Sequence, residues 1–541
     1  MTHNVKKILI SILLSVMVIF LPACSEKDGS GYLFRYAIFG DPETLDPQIA
    51  SDTSSLVVIE NMFDGLFRFT DSGAISNGMA AEYSISDDGL TYTFKLKNDQ
   101  FWANSDEKLK IPVTANDFVF AFQRIFDKAT HSPYAENFSC IKNAEKIISG
   151  ELDKTQIAVT ALSDFELEIE LEYTNANFLS LLASSPAKPC NQEFFEKTKG
   201  KYGLETEWTI SNGAFFLKQW EYDPYGKNNY LILRKNKYFS DSEKVYPSSL
   251  NFFVEKSNSR IPEGFLAGET DCAVFDGSEE KIFDEKYVSK GYETITQCLV
   301  YSPKSENFSS QDLRKALTIC LNRDEIGNKL PKGVDSAKGI VPPGVTILNK
   351  SYRELIAENA DTNDTETAKN LWSNQLKSLE KFTIENVKIL VPKSFKNADL
   401  LKYITQQWQN KLGFFCGIEV VSDKDYYSRI ASGDYDIALW ELSCPYNSPQ
   451  AVLDNFRSSS GANISAFSDQ EFEEILDQSR RSKNLNDCVK LYGKAEKIII
   501  DSYAVTPVFY QTEYFVCETK YSDIVYNPFT RQVNFSKAKK L

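Results

Sequence analysis

The chain has 541 residues, of which 42% are hydrophobic and 25% are charged, as in an ordinary globular protein. Its formal net charge of −15 argues against binding to nucleic acid or to anionic lipid through clustered basic side chains. The length predicts two or three domains, and the presence of only two histidines excludes a multi-histidine metal site.

The first residues have the pattern of a bacterial export signal. Two lysines precede an apolar run at 8–21 that is too short for a comfortable membrane span. The sequence LPAC at 21–24 resembles a lipobox, in which the cysteine becomes the first residue and carries a lipid. We therefore expect a signal peptide at 1–23, lipidation of Cys24 and a flexible tether over 24–31. The alternative is an ordinary signal peptide with a chance cysteine.

Nine cysteines follow Cys24, and no two of them lie closer than 22 positions. This spacing excludes a local CxxC redox or zinc motif. An odd number of thiols in an exported chain leaves at least one unpaired. We expect no obligatory disulfide.

The sequence also lacks the motifs of common enzymes. A serine or cysteine nucleophile would need His131, because His3 leaves with the predicted signal peptide. His131 lies in a THSP stretch that predicts a surface turn. No phosphate-binding glycine motif is present. The sequence therefore predicts a protein that is not an enzyme and has no cofactor and no metal site.

Strands and one capped helix are predicted in the first half of the chain. Residues 89–96 and 166–173 place apolar side chains at every second position, which predicts half-buried strands. Between them, residues 114–117 have capping-box spacing, and the aromatic stripe that follows predicts a helix packed in the core. The sequence YLILR at 230–234 predicts a further strand.

The second half alternates strands and helices, which predicts a parallel α/β unit. The predicted helices are 311–321, 397–412, one that begins with a cap at 468–471, and 485–501. The predicted strands are 388–391, 419–421 and 506–510. The polar segment 356–370 predicts a surface loop or the start of a helix.

Eight short motifs follow one another in a fixed order. They are GDPETLDP at 40–47, ENMFDGL at 60–66, AAE at 80–82 with SDDGLTYTFKL at 86–96, FW at 101–102 with VTANDF at 113–118, NGAF at 212–215, FLAGETD at 265–271, LRKAL at 313–317 with NR at 322–323, and GDYD at 433–436. From about Tyr32 to the C-terminus, the chain thereby resembles the oligopeptide- and dipeptide-binding proteins of ABC importers, extracellular solute-binding protein family 5. The SPYA stretch at 132–135 is similar to the oligopeptide branch.

This resemblance implies an α/β fold, the two-lobed periplasmic-binding-protein type II in its large three-domain class, with mixed sheets and a hinge between the lobes. Two crossing strands would form the hinge, and ligand contact with both lobes would shift the population towards a closed form. The implied domains are a lobe I base domain (32–63, 187–295 and 504–541), an inserted small domain (64–186) and a lobe II domain (296–503).

The resemblance further implies a lipid-anchored, monomeric protein on the outer face of the cell membrane, or on the periplasmic side if the cell has two membranes. It would capture an oligopeptide or peptide-like ligand and deliver it to ABC permease subunits, with no nucleic-acid partner. The alternatives are a carrier of a non-peptide solute with the same fold, a peptide sensor or adhesin without a transport role, and an extracellular hydrolase. The missing nucleophile–base pair argues against the hydrolase.

The chain departs from the family where the amino end of a peptide is held. In the oligopeptide branch, an aspartate after a "YD" motif pairs with that amine, and counting from 435–436 places Pro445 there. An upstream arginine of the family falls on Leu439. Proline has no charge and no backbone N–H, so the usual clamp is missing. Glu441 would share a strand face with Leu439 and could replace the lost acid. Alternatively, Glu441 is solvated and the site is apolar, suited to a blocked, cyclic or modified peptide.

The resemblance supplies further candidates for ligand contact. Backbone groups of Thr53 and Ser54 would bind ligand, and matched or adjacent positions on the later strands would line the pocket, although core packing is the alternative for each ring. These further candidates are Tyr134, Tyr426, Trp440, Ser443, Cys444, Tyr446, Phe509 and Tyr510. Backbone hydrogen bonds would supply the affinity for peptides, and roomy pockets would accept their side chains.

Overall fold

The computed structural model describes residues 31–71, 73–226, 228–277, 279–348, 350–357, 363–442, 444–482 and 484–541. The predicted signal peptide, Cys24 and Ser443 lie outside the described residues. A search of the described helices finds none with the length and apolar character that a membrane crossing needs.

The first half of the chain is built mainly from short strands. Its elements are β1 (Leu33–Phe39), α1 (Thr53–Met62), β2 (Phe67–Phe69), β3 (Ile75–Asn77), β4 (Ala80–Ile85), β5 (Thr91–Leu96), β6 (Phe101–Asn104), β7 (Ile111–Pro112), α2 (Ala115–Phe126), α3 (Ala144–Ser149), β8 (Val159–Ser163), β9 (Glu166–Glu170), α4 (Phe178–Leu182), α5 (Gln192–Thr198), β10 (Ile210–Ser211), β11 (Phe215–Glu221), β12 (Tyr230–Lys235), β13 (Ser249–Glu255), α6 (Arg260–Leu266), β14 (Cys272–Asp276) and β15 (Tyr287–Tyr301).

The second half carries the longer helices. Its elements are α7 (Gln311–Ile319), α8 (Arg323–Gly327), β16 (Val334–Ser336), β17 (Thr346–Ile347), β18 (Lys350–Ser351), α9 (Tyr352–Leu355), α10 (Thr365–Ser378), β19 (Val387–Pro392), α11 (Lys402–Leu412), β20 (Cys416–Val421), α12 (Asp423–Ser432), β21 (Ile437–Leu442), α13 (Pro449–Leu453), α14 (Gln470–Arg480), α15 (Leu485–Ser502), β22 (Val505–Glu518), β23 (Tyr521–Ser522), β24 (Val525–Asn527), β25 (Gln532–Asn534) and β26 (Lys539–Lys540).

Two four-stranded sheets organise the first half. One has the order β1-β13-β12-β11, with β1 and β13 parallel. The other, β4-β5-β9-β8, is antiparallel, and the predicted alternation is confirmed because Tyr92, Phe94 and Leu96 of β5 are buried. The predicted cap of α2 is also confirmed, since the Asp117 carboxylate accepts a 2.8 Å hydrogen bond from the Thr114 N–H.

A larger mixed sheet joins the two halves, in the order β14-β22-β15-β21-β19-β20 with β16 paired to β22. Strand β19 is parallel to β20, and α11 connects them, which confirms the predicted parallel α/β unit. Alternate residues of β21 enter two hydrophobic clusters, Ala438 and Trp440 in one and Ile437 and Leu439 in the other. This sheet is therefore covered on both faces.

Several boundaries differ from the sequence prediction. The N-cap of α14 is Asp469, whose carboxylate accepts the Phe472 N–H at 2.9 Å, so the predicted cap at Ser468 is wrong by one residue. The strand predicted at 506–510 is the start of the much longer β22. In the polar segment, α10 begins at Thr365, and residues 358–362 lie outside the described residues.

Candidate functional site

A cavity of about 920 Å³ lies between the β1 sheet and the large mixed sheet. Its wall is formed by the end of β1 and the turn after it, the first turn of α1, α6, β14, the central parts of β15, β21 and β22, the loop after β19, and α12. The cavity volume lies in the upper part of the range of roughly 300–1,000 Å³ that is usual for small-molecule sites.

The middle of the cavity wall is an amide–carboxylate cluster on three neighbouring strands. Gln297 on β15 lies opposite Glu441 on β21 in the strand register. The Gln297 side-chain amide donates to the Glu441 carboxylate at 3.1 Å and to the Gln511 side-chain oxygen on β22 at 3.2 Å. Gln297 itself is buried. The cluster therefore fixes the orientation of Glu441, whose side chain is exposed.

A second carboxylate of the wall is paired within the protein. Glu513 on β22 forms a 2.8 Å salt bridge with Arg531. Burial raises the pKa of Glu513, while the Arg531 charge lowers it, and burial is the larger effect. A third carboxylate, Asp276 at the end of β14, pairs at 3.2 Å with Lys396 in the loop after β19. This pair links β14, at one edge of the large sheet, to the loop after β19, near its other edge.

Two predicted aromatic residues line the cavity. Tyr426 on α12 donates its hydroxyl to the Leu439 carbonyl at 2.5 Å, which ties this helix to β21. Burial raises the pKa of the Tyr426 hydroxyl well above its ordinary value. Trp440 packs edge-on against Phe456, with ring centroids 5.3 Å apart. Both rings are therefore held by contacts within residues 423–456.

The first turn of α1 also reaches the cavity. The helix begins at Thr53 because the Asp52 carboxylate caps it, accepting the Ser55 N–H at 2.8 Å. Ser54 donates its hydroxyl to the Phe39 carbonyl at 2.7 Å, which joins the helix start to the end of β1. Thr53 is exposed, and both Thr53 and Ser54 line the cavity.

Among the described residues, the other predicted site residues do not line this wall. Tyr134 donates its hydroxyl to the Ala50 carbonyl, and the Cys444 thiol donates to the Tyr446 carbonyl at 2.8 Å. Phe509 is packed in a hydrophobic cluster, as is the partly buried Tyr446. The Tyr510 hydroxyl bonds to the Gly339 backbone. Each of these side chains has a structural contact, and ligand binding by them stays a prediction.

Strand β21 carries two of the residues that the sequence analysis placed in the clamp region. Leu439 lines the cavity, and Glu441 lies two residues further along the same strand and also lines it. Strand β21 ends at Leu442, and Pro445 lies beyond it, outside the cavity lining.

Sequence reasoning missed the polar residues on β15 and β22. Gln511 and Glu513 lie two positions apart on β22 and interrupt an otherwise largely apolar strand. That interruption was a usable signal, because polar side chains at period two on a buried strand need partners or a solvent-filled space.

The cavity is built on two sheets from distant parts of one chain, an arrangement that suits a solute-binding protein. The family model of bacterial extracellular solute-binding proteins, family 5 (middle), matches residues 74–464. The chain belongs to this family.

Known relatives match over nearly the whole chain. The oligopeptide-binding protein OppA of Bacillus subtilis is 27% identical over 95% of this chain and 94% of its own length. The dipeptide-binding protein of Lactococcus lactis subsp. cremoris is 25% identical over 93% of both. The substrate-binding domain of an oligopeptide ABC transporter from Bacillus anthracis superposes with a TM-score of 0.74 at 26% identity, covering 95% of this chain and 100% of that one. The predicted α/β binding-protein fold is confirmed.

Proposed function

We propose that this protein is the solute-binding component of an ABC importer and that its cavity holds an oligopeptide or peptide-like ligand. The cavity of about 920 Å³ carries this proposal, because both sides of a family 5 binding protein contribute to its wall. The relatives over the full length are named as oligopeptide- and dipeptide-binding proteins. The protein acts by binding and delivery to permease subunits rather than by catalysis.

Capture depends on movement of two lobes. Lobe I comprises 32–63, 187–295 and 504–541, with the small domain 64–186 inserted, and lobe II comprises 296–503. Strands β15 and β22 each run through the large sheet and connect the lobes, so they serve as the hinge. Because a bound ligand touches both walls, it favours the closed form, which the permease then recognises.

The amino end of the ligand binds at Glu441. Pro445 offers no acid, whereas the Glu441 carboxylate lines the cavity and is already oriented by Gln297. That hydrogen bond occupies only part of the acceptor capacity of a carboxylate. A ligand ammonium can therefore pair with the remaining lone pairs, and a charged hydrogen bond of this kind contributes roughly 1.5–3 kcal/mol.

The protein is held at the outer face of the cell membrane by a lipid on Cys24 and works as a monomer. The N-terminal pattern supports export and lipidation, and the family is described as extracellular. The Ser-, Gly- and charge-rich stretch at 24–31 supplies the tether between lipid and folded domain.

The test is to identify what the purified protein retains. The full-length exported protein is denatured mildly, and the released material is analysed by mass spectrometry. We expect peptides in the eluate. Consistent absence of peptides together with a different bound solute would contradict the proposal and favour a non-peptide carrier with the same fold.

A further inference from the structure

The cavity wall is strongly unbalanced in charge. Among the described residues of the lining, the basic side chains are Lys396 and Arg531. The acidic side chains of the same lining are Asp41, Glu43, Asp52, Asp276, Glu279, Glu441 and Glu513. The wall therefore carries five more carboxylates than basic groups, in a chain whose own net charge is −15.

Both basic side chains are already paired with acids of the wall. Lys396 pairs with Asp276 at 3.2 Å, and Arg531 pairs with Glu513 at 2.8 Å. The charge of Arg531 also acts on Glu441, but without a salt bridge between them, and the wall keeps a net negative charge. An acidic ligand would have to break one of these pairs to find a partner.

The other five carboxylates have no lysine or arginine within 4.0 Å among the residues that the structure describes. Three of them accept hydrogen bonds from neutral donors instead. Asp41 accepts a hydrogen bond from the Asn229 amide at 2.8 Å. Asp52 accepts one from a backbone N–H, and Glu441 accepts one from the Gln297 amide. Such donors orient a carboxylate but leave its negative charge in place.

Asp52 is a further carboxylate of the wall that is only partly satisfied within the protein. One of its oxygens caps α1, and the other, Oδ2, is buried without a hydrogen-bond partner in the described structure. A buried acceptor without a partner costs free energy. Because Asp52 lines the cavity and has no cationic partner in the described structure, its charge adds to the negative field of the wall.

We propose that the cavity selects cationic peptides, which carry lysine or arginine side chains in addition to the amino end, and this rests on the proposed peptide-binding function. Low-dielectric walls of one charge sign focus the field into a cleft and concentrate ligands of the opposite sign. Glu441 takes the amino end, and the acids of the β1–α1 turn and Glu279 after β14 face further positive groups. Acidic peptides are rejected because the wall repels them and offers no free cation.

The test compares three peptides of equal length with free termini in calorimetric titrations of the wild-type protein. Their variable positions carry lysine, glutamine or glutamate, and the backbone is otherwise alanine. We expect the lysine peptide to bind at least about tenfold more tightly than the glutamine peptide, and the glutamate peptide to bind most weakly. Raising the salt concentration from about 0.02 M to about 0.5 M should narrow these gaps.

A combined variant tests the assignment to the wall. Asp41→Asn, Glu43→Gln and Glu279→Gln together remove three charges, and we expect them to reduce the lysine preference several-fold. The control carries Glu145→Gln, Glu172→Gln and Glu471→Gln, three exposed acids outside the lining, and should keep the preference.

The outcomes distinguish a failure of the cationic selectivity from a failure of peptide binding itself. Equal binding of all three peptides by the wild type would overturn the cationic selectivity while leaving peptide binding intact. Failure of the wild type to bind any of them would overturn both. Because these results come from the wild type, they do not depend on how the variants fold.

Discussion

The carboxylates of the protein core and those of the cavity wall are satisfied in different ways. In the core, Glu496 accepts from the N–H groups of Ile340 and Val341, from the Tyr352 hydroxyl and from the Arg353 guanidinium. In the wall, Glu441 has a single amide donor and no cation within salt-bridge distance in the described structure. Glu496 is thus fully satisfied by the protein itself, whereas Glu441 keeps acceptor capacity that faces the cavity.

The same contrast holds in the first half of the chain. Asp46 is buried and forms a bidentate pair with Arg124, and it also accepts the Gln48 N–H at 3.1 Å. Asp52, six residues later, leaves one buried oxygen without a partner. Of these two acids between β1 and α1, Asp46 is satisfied by the protein, whereas Asp52 keeps an oxygen without a partner in the described structure.

The largest effect on stability is expected in the core. Glu496→Gln leaves the Arg353 guanidinium buried without its counter-charge, which should reduce the free energy of unfolding by about 3–5 kcal/mol. Urea-induced unfolding followed by circular dichroism measures this. The exposed control Glu471→Gln should change stability by less than about 0.5 kcal/mol. A Glu496→Gln protein as stable as wild type would contradict the claim that this core acid stabilises the fold through its protein partners.

A smaller effect, with a characteristic pH dependence, is expected at Glu513. Burial raises the pKa of Glu513, so its folded-state pKa lies above its unfolded-state pKa. The contribution of this group to the free energy of unfolding is therefore present at low pH and is lost as the pH rises through the folded-state pKa. The stability of wild type relative to Glu513→Gln should therefore increase as the pH falls from 7 towards 4.5, the ordinary value for glutamate. Unfolding at several pH values tests this, and a constant difference between the two proteins would contradict it.

The smallest effect is expected for the Asp276–Lys396 pair, which joins β14 to the loop after β19. Lys396 is about half exposed, so Lys396→Met should change stability by less than about 1 kcal/mol. Loss of this exposed pair should lower the affinity of the protein for peptide by less than about fivefold. Calorimetric titration checks this, with Lys388→Met as a control, since that exposed lysine lies outside the cavity lining. A loss of tenfold or more would show that the pair controls closure.

Local sequence signals predicted much of the fold. Strand β5, the capped helix α2 and the β19–α11–β20 unit were foreseen because alternation, capping spacing and helical periodicity are properties of neighbouring residues. The full length of β22 was not foreseen, because its pairing with three other strands depends on distant segments of the chain. Its register against β15 is also irregular.

The candidate site was predictable only in part, for the same reason. Tyr426 was identified from a matched position and Glu441 from the alternation of the strand that carries Leu439, and both line the cavity. Gln297 and Glu513 were missed, because only the register of β15 against its neighbours brings them to the wall. The charge imbalance of the wall is a sum over segments from residue 41 to residue 531, and no local pattern contains it.

The central claim is that Glu441 holds the amino end of a peptide in the cavity. It is tested most directly by titrating wild type and Glu441→Gln with a free-amine peptide and with its N-acetylated counterpart. We predict that wild type prefers the free-amine peptide by roughly 10- to 100-fold, because it forms a charge-assisted hydrogen bond, and that the variant binds both peptides alike. Equal binding of both peptides by wild type, or an undiminished preference in the variant, would contradict the claim.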